Sequence, residues 1–133
     1  MYTEEEVKEK QRLAREAELS GAELLDDVEF ARRSCNGIGA EWMSPKLRAV
    51  IGALNPTLKL AADIHDIRYT IGGSSDDRKF ADEEFYKNGV KLADYRYRWY
   101  DPRRYQVRSQ AKKFFAALRV FGAAAWKEER SVL

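Results

Sequence analysis

The residues of this chain that could do chemistry converge on its single histidine. His65 sits at the centre of Ala61-Ala62-Asp63-Ile64-His65-Asp66-Ile67-Arg68-Tyr69, and an imidazole can take a proton from water near neutral pH. Its neighbour Asp66 is a carboxylate, a hard oxygen donor suited to calcium. On a helix His65 and Tyr69 share a face while Asp66 points about 100° away, so one short helix offers a base and an oxygen ligand to adjacent regions of space. Taken alone, the dipeptide reads more readily as a histidine packed on an apolar face beside a surface charge. Three further features move the reading toward a site. The glycine-containing stretch from Cys35 to Glu41 could expose carbonyl oxygens as further ligands. Asp82 could accept the other imidazole N–H and fix the tautomer, the orientation that a histidine base needs. Tyr69, one turn beyond His65, could hold that carboxylate.

Positioning these groups is the task of helices. Residues 3–19 carry Thr3 as an N-cap with Glu6 three positions later, the spacing of a capping box, and a thin apolar stripe of Val7, Ala14 and Ala17 predicts a helix that packs at the periphery or frays. A second helical piece runs from Gly21 to about Arg33 and ends at Cys35-Asn36-Gly37-Ile38-Gly39. Pro45 to Ala53 can form a short helix before the break at Asn55-Pro56. Leu58 to Tyr69 then reads as helix, stopped by Gly72-Gly73, and Asp76 or Asp77 is expected to cap the next one, in which Phe80, Ala81, Phe85 and Leu92 recur at helical spacing. These two helices form an αα-hairpin, with Asp82 on the arm facing His65. A last helix is predicted over about 103–129, where Val107, Ala111, Phe114, Phe115, Leu118, Phe121 and Trp126 make a broad apolar stripe. Period-2 alternation is nearly absent, so the fold class is all-α.

A length of 133 residues, 44% hydrophobic and 12% aromatic, fits one domain over 1–133 with a real core. The longest apolar stretch, Ala116 to Trp126, is interrupted by Arg119 and is shorter than the roughly 20 residues of a membrane-spanning helix. The acidic start, with Glu4, Glu5, Glu6 and Glu9, is unlike a secretory leader, and the reading is of a protein that stays in the cytoplasm. With Cys35 alone, no intramolecular disulfide can form. The net charge of +2 hides an asymmetry, because residues 1–30 hold ten acids against four bases and residues 94–119 hold eight bases against two acids. The bland reading is that the two blocks attract each other within the fold. The other is an anionic partner, such as a phospholipid surface or, as second choice, nucleic acid, held by Arg96, Arg98, Arg103, Arg104, Arg108, Lys112 and Lys113 with Tyr95, Tyr97, Trp99 and Tyr100 interleaved.

The order of a C-x-G-x-G loop, a His-Asp-x-x-Tyr helix and an Ala-Asp-x-x-Phe helix resembles the phospholipase A2 superfamily, and within it most closely a prophage-encoded branch. The pieces are Cys35-Asn36-Gly37-Ile38-Gly39 with Trp42, Ala62 to Tyr69, and Asp77 to Phe85, so the resemblance covers about residues 35–92. It implies a calcium-dependent hydrolase of the glycerophospholipid sn-2 ester, of phage or prophage type, working in a bacterial cell. It further implies His65 as the base that activates water, oriented by Asp82 and Tyr69. Asp66 becomes a bidentate calcium ligand, and the carbonyls of Cys35, Gly37 and Gly39 supply further donors. The acidic segment 1–33 and the basic aromatic helix at about 103–129 flank this core.

Other chemistries fail on counting. A His-Asp phosphohydrolase needs further histidines, a zinc site needs more than one His and one Cys, and no G-x-S-x-G elbow exists. A Cys35–His65 thiol hydrolase remains as a minor alternative. The main rival is non-catalytic, a phage-derived accessory or binding protein that keeps the helical hairpin and holds a partner with its basic, aromatic half.

Overall fold

A computed structural model describes residues 2–35, 54–124 and 126. The helix expected from Pro45 to Ala53 lies outside them, as do Gly37, Gly39 and Trp42. The described residues form five α-helices, α1 (Glu4–Glu16), α2 (Val28–Ser34), α3 (Lys59–Ile71), α4 (Ser75–Arg96) and α5 (Pro102–Phe121), with 3-10 turns at Ala22–Leu25, Pro56–Leu58 and Gly122–Ala124. No strand occurs among them, and the architecture is all-α. No helix among them is long and apolar enough to cross a membrane.

Helix ends follow local polar chemistry, and three expectations need correction. The capping box of α1 is present, with the Glu6 amide donating to Thr3 Oγ1 at 3.1 Å and the Thr3 amide to Glu6 at 2.9 Å. The piece after Gly21 is not one helix. It breaks at Asp26-Asp27 because the Asp27 carboxylate accepts from the Phe30 amide at 3.1 Å and starts α2 afresh. The cap of α4 is Ser74 rather than Asp76 or Asp77, and Asp77 is the third helical residue that closes the box. The last helix ends at Phe121, well before residue 129. There the chain turns at Gly122, where a Cβ would stand 2.7 Å from the Tyr69 hydroxyl, and Trp126 reaches back to donate its indole N–H to the Gly73 carbonyl at 2.9 Å. Glycine's poor helix propensity and tertiary contact with the α3–α4 hairpin coincide at that end.

The core is organised around α3, in which every residue from Leu60 to Ile67 is buried. One side meets α2, the turn at Ala22–Leu25 and, through the shared apolar core, α1, while another meets α4, which packs most extensively against α5. The thin stripe of α1 is not peripheral, since Val7, Ala14 and Ala17 join Ile64, Ile67, Phe85 and Leu118 in one apolar cluster. Phe85 and Phe114 stack with ring centroids 4.7 Å apart across α4 and α5.

The charged blocks do not pair with each other. Among the described residues no ion pair joins 1–30 to 94–119. Arg12 binds Glu9 and Glu16 on its own helix, Arg104 and Arg108 reach Asp94, and Arg103 binds Asp101. The direct hydrogen bonds from the first block to α4 are the Tyr95 hydroxyl on Glu16 at 2.8 Å, Lys91 on the Glu18 carbonyl at 2.8 Å, the Ser20 hydroxyl on Glu84 at 2.7 Å and the backbone of Ser20 with Asn88.

Gly89 marks the tightest crossing of α4, since a Cβ there would lie 2.8 Å from the Ala111 methyl and 3.0 Å from Leu58. Gly89→Ala is therefore expected to destabilise the protein by about 1–3 kcal/mol through overpacking, despite the roughly 1 kcal/mol gain in helix propensity. Urea unfolding of the two proteins measures the difference, and an unchanged midpoint would mean that the crossing is looser than described.

Candidate functional site

The hairpin register brings His65 and Asp82 level. His65 lies six residues before the end of α3 and Asp82 seven after the start of α4, so at 1.5 Å per residue both stand roughly 10 Å from the Gly72-Gly73 turn. Their side chains meet inside the protein, His65 being 2% exposed and Asp82 fully buried. His65 Nε2 lies 2.9 Å from Asp82 Oδ1. The Tyr69 hydroxyl donates to the same oxygen at 2.8 Å. With Asp82 ionised, Nε2 carries a proton and donates it, and Nδ1 is the ring nitrogen that this contact does not use. The ring is held on two further sides, by Tyr69 at a centroid separation of 4.2 Å and by the edge of Phe85 at 5.8 Å.

The second carboxylate oxygen of Asp82 belongs to arginines. Arg119 Nη1, from α5, donates to Oδ2 at 2.7 Å, and Arg78 Nη1 stands 3.5 Å away. Burial opposes ionisation of this carboxyl, but the hydrogen bonds from His65, Tyr69 and Arg119 outweigh it and hold Asp82 below the usual carboxylate range. Neither arginine was singled out in the sequence. A signal existed for Arg119, the one charge that interrupts the apolar run from Ala116 to Trp126, and such a residue must either reach solvent or find a carboxylate.

Asp66 is also buried, at 3% exposure, on a different face of α3 from the His65–Asp82 contact. It stands near Cys35. Burial first, and then the negative fields of Asp63 and Asp66, push the Cys35 thiol well above its ordinary range. Cys35 is itself buried, with its sulfur 3.5 Å from the Asp63 carbonyl oxygen. A reactive thiol needs the opposite environment, exposed and electropositive, so the thiol-hydrolase alternative loses its nucleophile. The described part of the expected calcium site is therefore one buried carboxylate beside the start of the glycine loop. Its other expected donors, Gly37 and Gly39, lie outside the described residues, and among the described residues no group of three or more His, Cys, Asp or Glu could hold a metal.

Two more buried carboxylates, unremarked in the sequence, surround the site. Asp63 accepts from the Tyr2 hydroxyl at 2.9 Å and pairs with Lys10 at 2.8 Å. Burial nevertheless raises its carboxyl above the usual range, with Lys10 and Tyr2 offsetting only part of the effect. Glu84 takes both prongs of the Arg68 guanidinium at 3.0 and 2.9 Å and the Ser20 hydroxyl at 2.7 Å. No family model matches the chain, and neither does any curated protein or solved structure.

The lowered carboxyl of Asp82 ties stability to pH with a definite sign. A group whose folded pKa is depressed contributes stability above its unfolded pKa of about 3.9 and loses it as pH falls through the folded value. Asp82→Asn is thus expected to cost on the order of 3 kcal/mol at neutral pH, because it leaves the arginines facing a neutral amide. The deficit should shrink as pH falls below about 4. Urea unfolding of both proteins between pH 2.5 and 7 reads this, and a deficit independent of pH would show that the charge of Asp82 is not what holds α5.

Proposed function

We propose that this protein is a calcium-dependent carboxylic-ester hydrolase on the phospholipase A2 plan, of phage or prophage type, acting at the sn-2 ester of a glycerophospholipid. The observation that carries the reading is the convergence of the His65 imidazole and the Tyr69 hydroxyl on one oxygen of a fully buried Asp82. A base needs its ring fixed and its tautomer chosen, and this arrangement does both.

In this reading His65 Nδ1 accepts a proton from water while the water oxygen bonds to the ester carbonyl carbon. The same proton then passes to the departing glycerol oxygen as the C–O bond breaks, which yields a fatty acid and a lysophospholipid. Asp82 and Tyr69 are positioning residues that keep Nε2 protonated and the ring in place. Asp66, with carbonyls of Cys35, Gly37 and Gly39, would hold calcium, whose charge polarises the ester carbonyl and stabilises the oxyanion. A buried carboxylate near Cys35, the residue that leads into the glycine-containing stretch, suits a hard cation that takes oxygen ligands.

Two measurements test this. Calcium at a hundred times its Kd adds about 2.7 kcal/mol to stability, so it should raise Tm by on the order of 10 °C, and Asp66→Asn should abolish the rise while magnesium does little. Equal stabilisation by both ions would count against the site. On short-chain phosphatidylcholine, His65→Gln should lose a hundredfold or more in kcat with its fold intact, and Cys35→Ser should stay active. Full activity in His65→Gln, or none in the native protein with calcium bound, would leave the non-catalytic binding protein as the better reading.

A further inference from the structure

The connector between α4 and α5 breaks the pattern of the rest of the surface. Trp99 is 73% exposed and Tyr100 63%, the two most exposed aromatic side chains described, and they are adjacent in sequence at the apex of a long helical hairpin. They are not loose, since Tyr105 donates its hydroxyl to the Trp99 carbonyl at 2.6 Å and the two rings meet edge to face at 5.6 Å. Two adjacent exposed aromatics on a fixed connector form a patch rather than scattered single residues, and it is patches that mark interaction sites.

The arginines around it fall into two groups. Arg103, Arg104 and Arg108 are paired with Asp101 and Asp94. Arg96 and Arg98 are exposed and pair with no carboxylate among the described residues. Beside them, Leu13, Leu60 and Leu92 floor a pocket of about 310 Å³ whose rim includes Lys59 and Arg96. Unpaired cations, a protruding Trp-Tyr pair and an apolar pocket thus adjoin at one end of the molecule, roughly 20 Å along α4 from Asp82.

We propose that this apex docks on an anionic phospholipid surface, with Trp99 and Tyr100 at the headgroup level and Arg96, Arg98 and Lys59 on the phosphates. Trp and Tyr favour the membrane interface because an apolar body carries a polar tip, and each nearby cation adds about 1 kcal/mol of attraction to an anionic leaflet. Nucleic acid fits less well. The face of Tyr97 is taken by Arg103 at 4.9 Å and Arg96 at 5.6 Å, the rings of Trp99 and Tyr100 are nearly perpendicular at 87°, and Asp94 and Asp101 tie up the arginines that would follow a phosphate backbone. The inference goes beyond the hydrolase reading and does not need it. Binding carried by this apex alone should be weak and reversible, since two aromatics and a few cations hold far less than a membrane-spanning helix, and no helix among the described residues is long and apolar enough to span.

The full-length protein is sedimented with phosphatidylglycerol vesicles and with phosphatidylcholine vesicles at low salt. Binding at least tenfold stronger to phosphatidylglycerol is expected, weakened severalfold by 0.5 M NaCl. Trp99→Ala with Tyr100→Ala, and Arg96→Glu with Arg98→Glu, should each lose tenfold or more, whereas charge reversal at the paired Arg104 and Arg108 should lose less. If an apex variant unfolds, the native protein still decides. Its tryptophan emission should shift to the blue on vesicles and be quenched by brominated lipid, and Trp99→Phe should remove that response. No vesicle binding at low salt, unchanged binding by the apex variants, or binding of a single-stranded oligonucleotide without vesicles would overturn the proposal. His65→Gln must bind vesicles like the native protein, so loss of hydrolysis with intact docking would sink only the hydrolase reading.

Discussion

A carboxylate with no exposed surface has to be answered by donors from the protein, and Asp82 is answered from three helices. His65 and Tyr69 come from α3, Arg78 from its own helix, and Arg119 from α5. Removing water from such a charge costs several kcal/mol that only well-aligned partners recover. This gives the contact its organising force. A sliding of α3 against α4, or a lifting of α5, would strand the charge, so one side chain fixes the register of the hairpin and the position of the last helix together. His65 is held as firmly as it is because its partner is held by everything else.

The same device recurs on either side. Asp63 draws in Tyr2 and Lys10, and with them the start of α1. Glu84 draws in Arg68 and Ser20, and with them the link after α1. Each of the three carboxylates lies on the central hairpin and each anchors a different flank of the chain. Apolar packing alone would bury the same helices, but it tolerates rotation and slippage that buried charge does not. Leu60, Ile64 and Ile67 supply the driving force to bury α3, while Asp63 and His65, with Asp82 and Glu84 across from them on α4, select one arrangement of what surrounds it.

This division explains what could be read from the sequence. The helices announced themselves through apolar spacing and caps, and the pairing of His65 with Asp82 followed from hairpin register, because both lie at countable distances from Gly72-Gly73. Tyr69 was legible for the same reason, four residues from His65 on one face. The partners of Arg119 and Lys10 were not, since each meets its carboxylate across a gap of 37 or 53 positions, and no local period encodes such a distance. The end of α5 escaped for a related reason. Gly122 was a stop signal set among good helix formers, and what makes the chain turn there is the packing of Trp126 onto Tyr69, at a ring separation of 4.9 Å. The relation between the two charged blocks was underdetermined, because formal charge does not say which carboxylates already have partners on their own helix.

A chain with one cysteine has no disulfide with which to brace a hairpin, and the substitute behaves differently. A disulfide acts mainly by restricting the unfolded chain and carries no charge at stake, whereas a buried carboxylate stabilises only in the protonation state that its surroundings select. Here the surroundings select differently, partners prevailing at Asp82 and burial at Asp63. Asp82 is held low, so its stabilisation is present above the unfolded pKa and disappears as acid protonates it in the folded protein. Asp63 is held high by burial, so the folded protein takes up that proton more readily than the unfolded chain does, and its contribution is greatest below the unfolded pKa and declines as pH rises through the folded one. Acid therefore strains the attachment of α5 to the hairpin while easing the burial of Asp63 beside α1. The two flanks of one hairpin, fastened by the same residue type, are fastened with opposite dependence on pH.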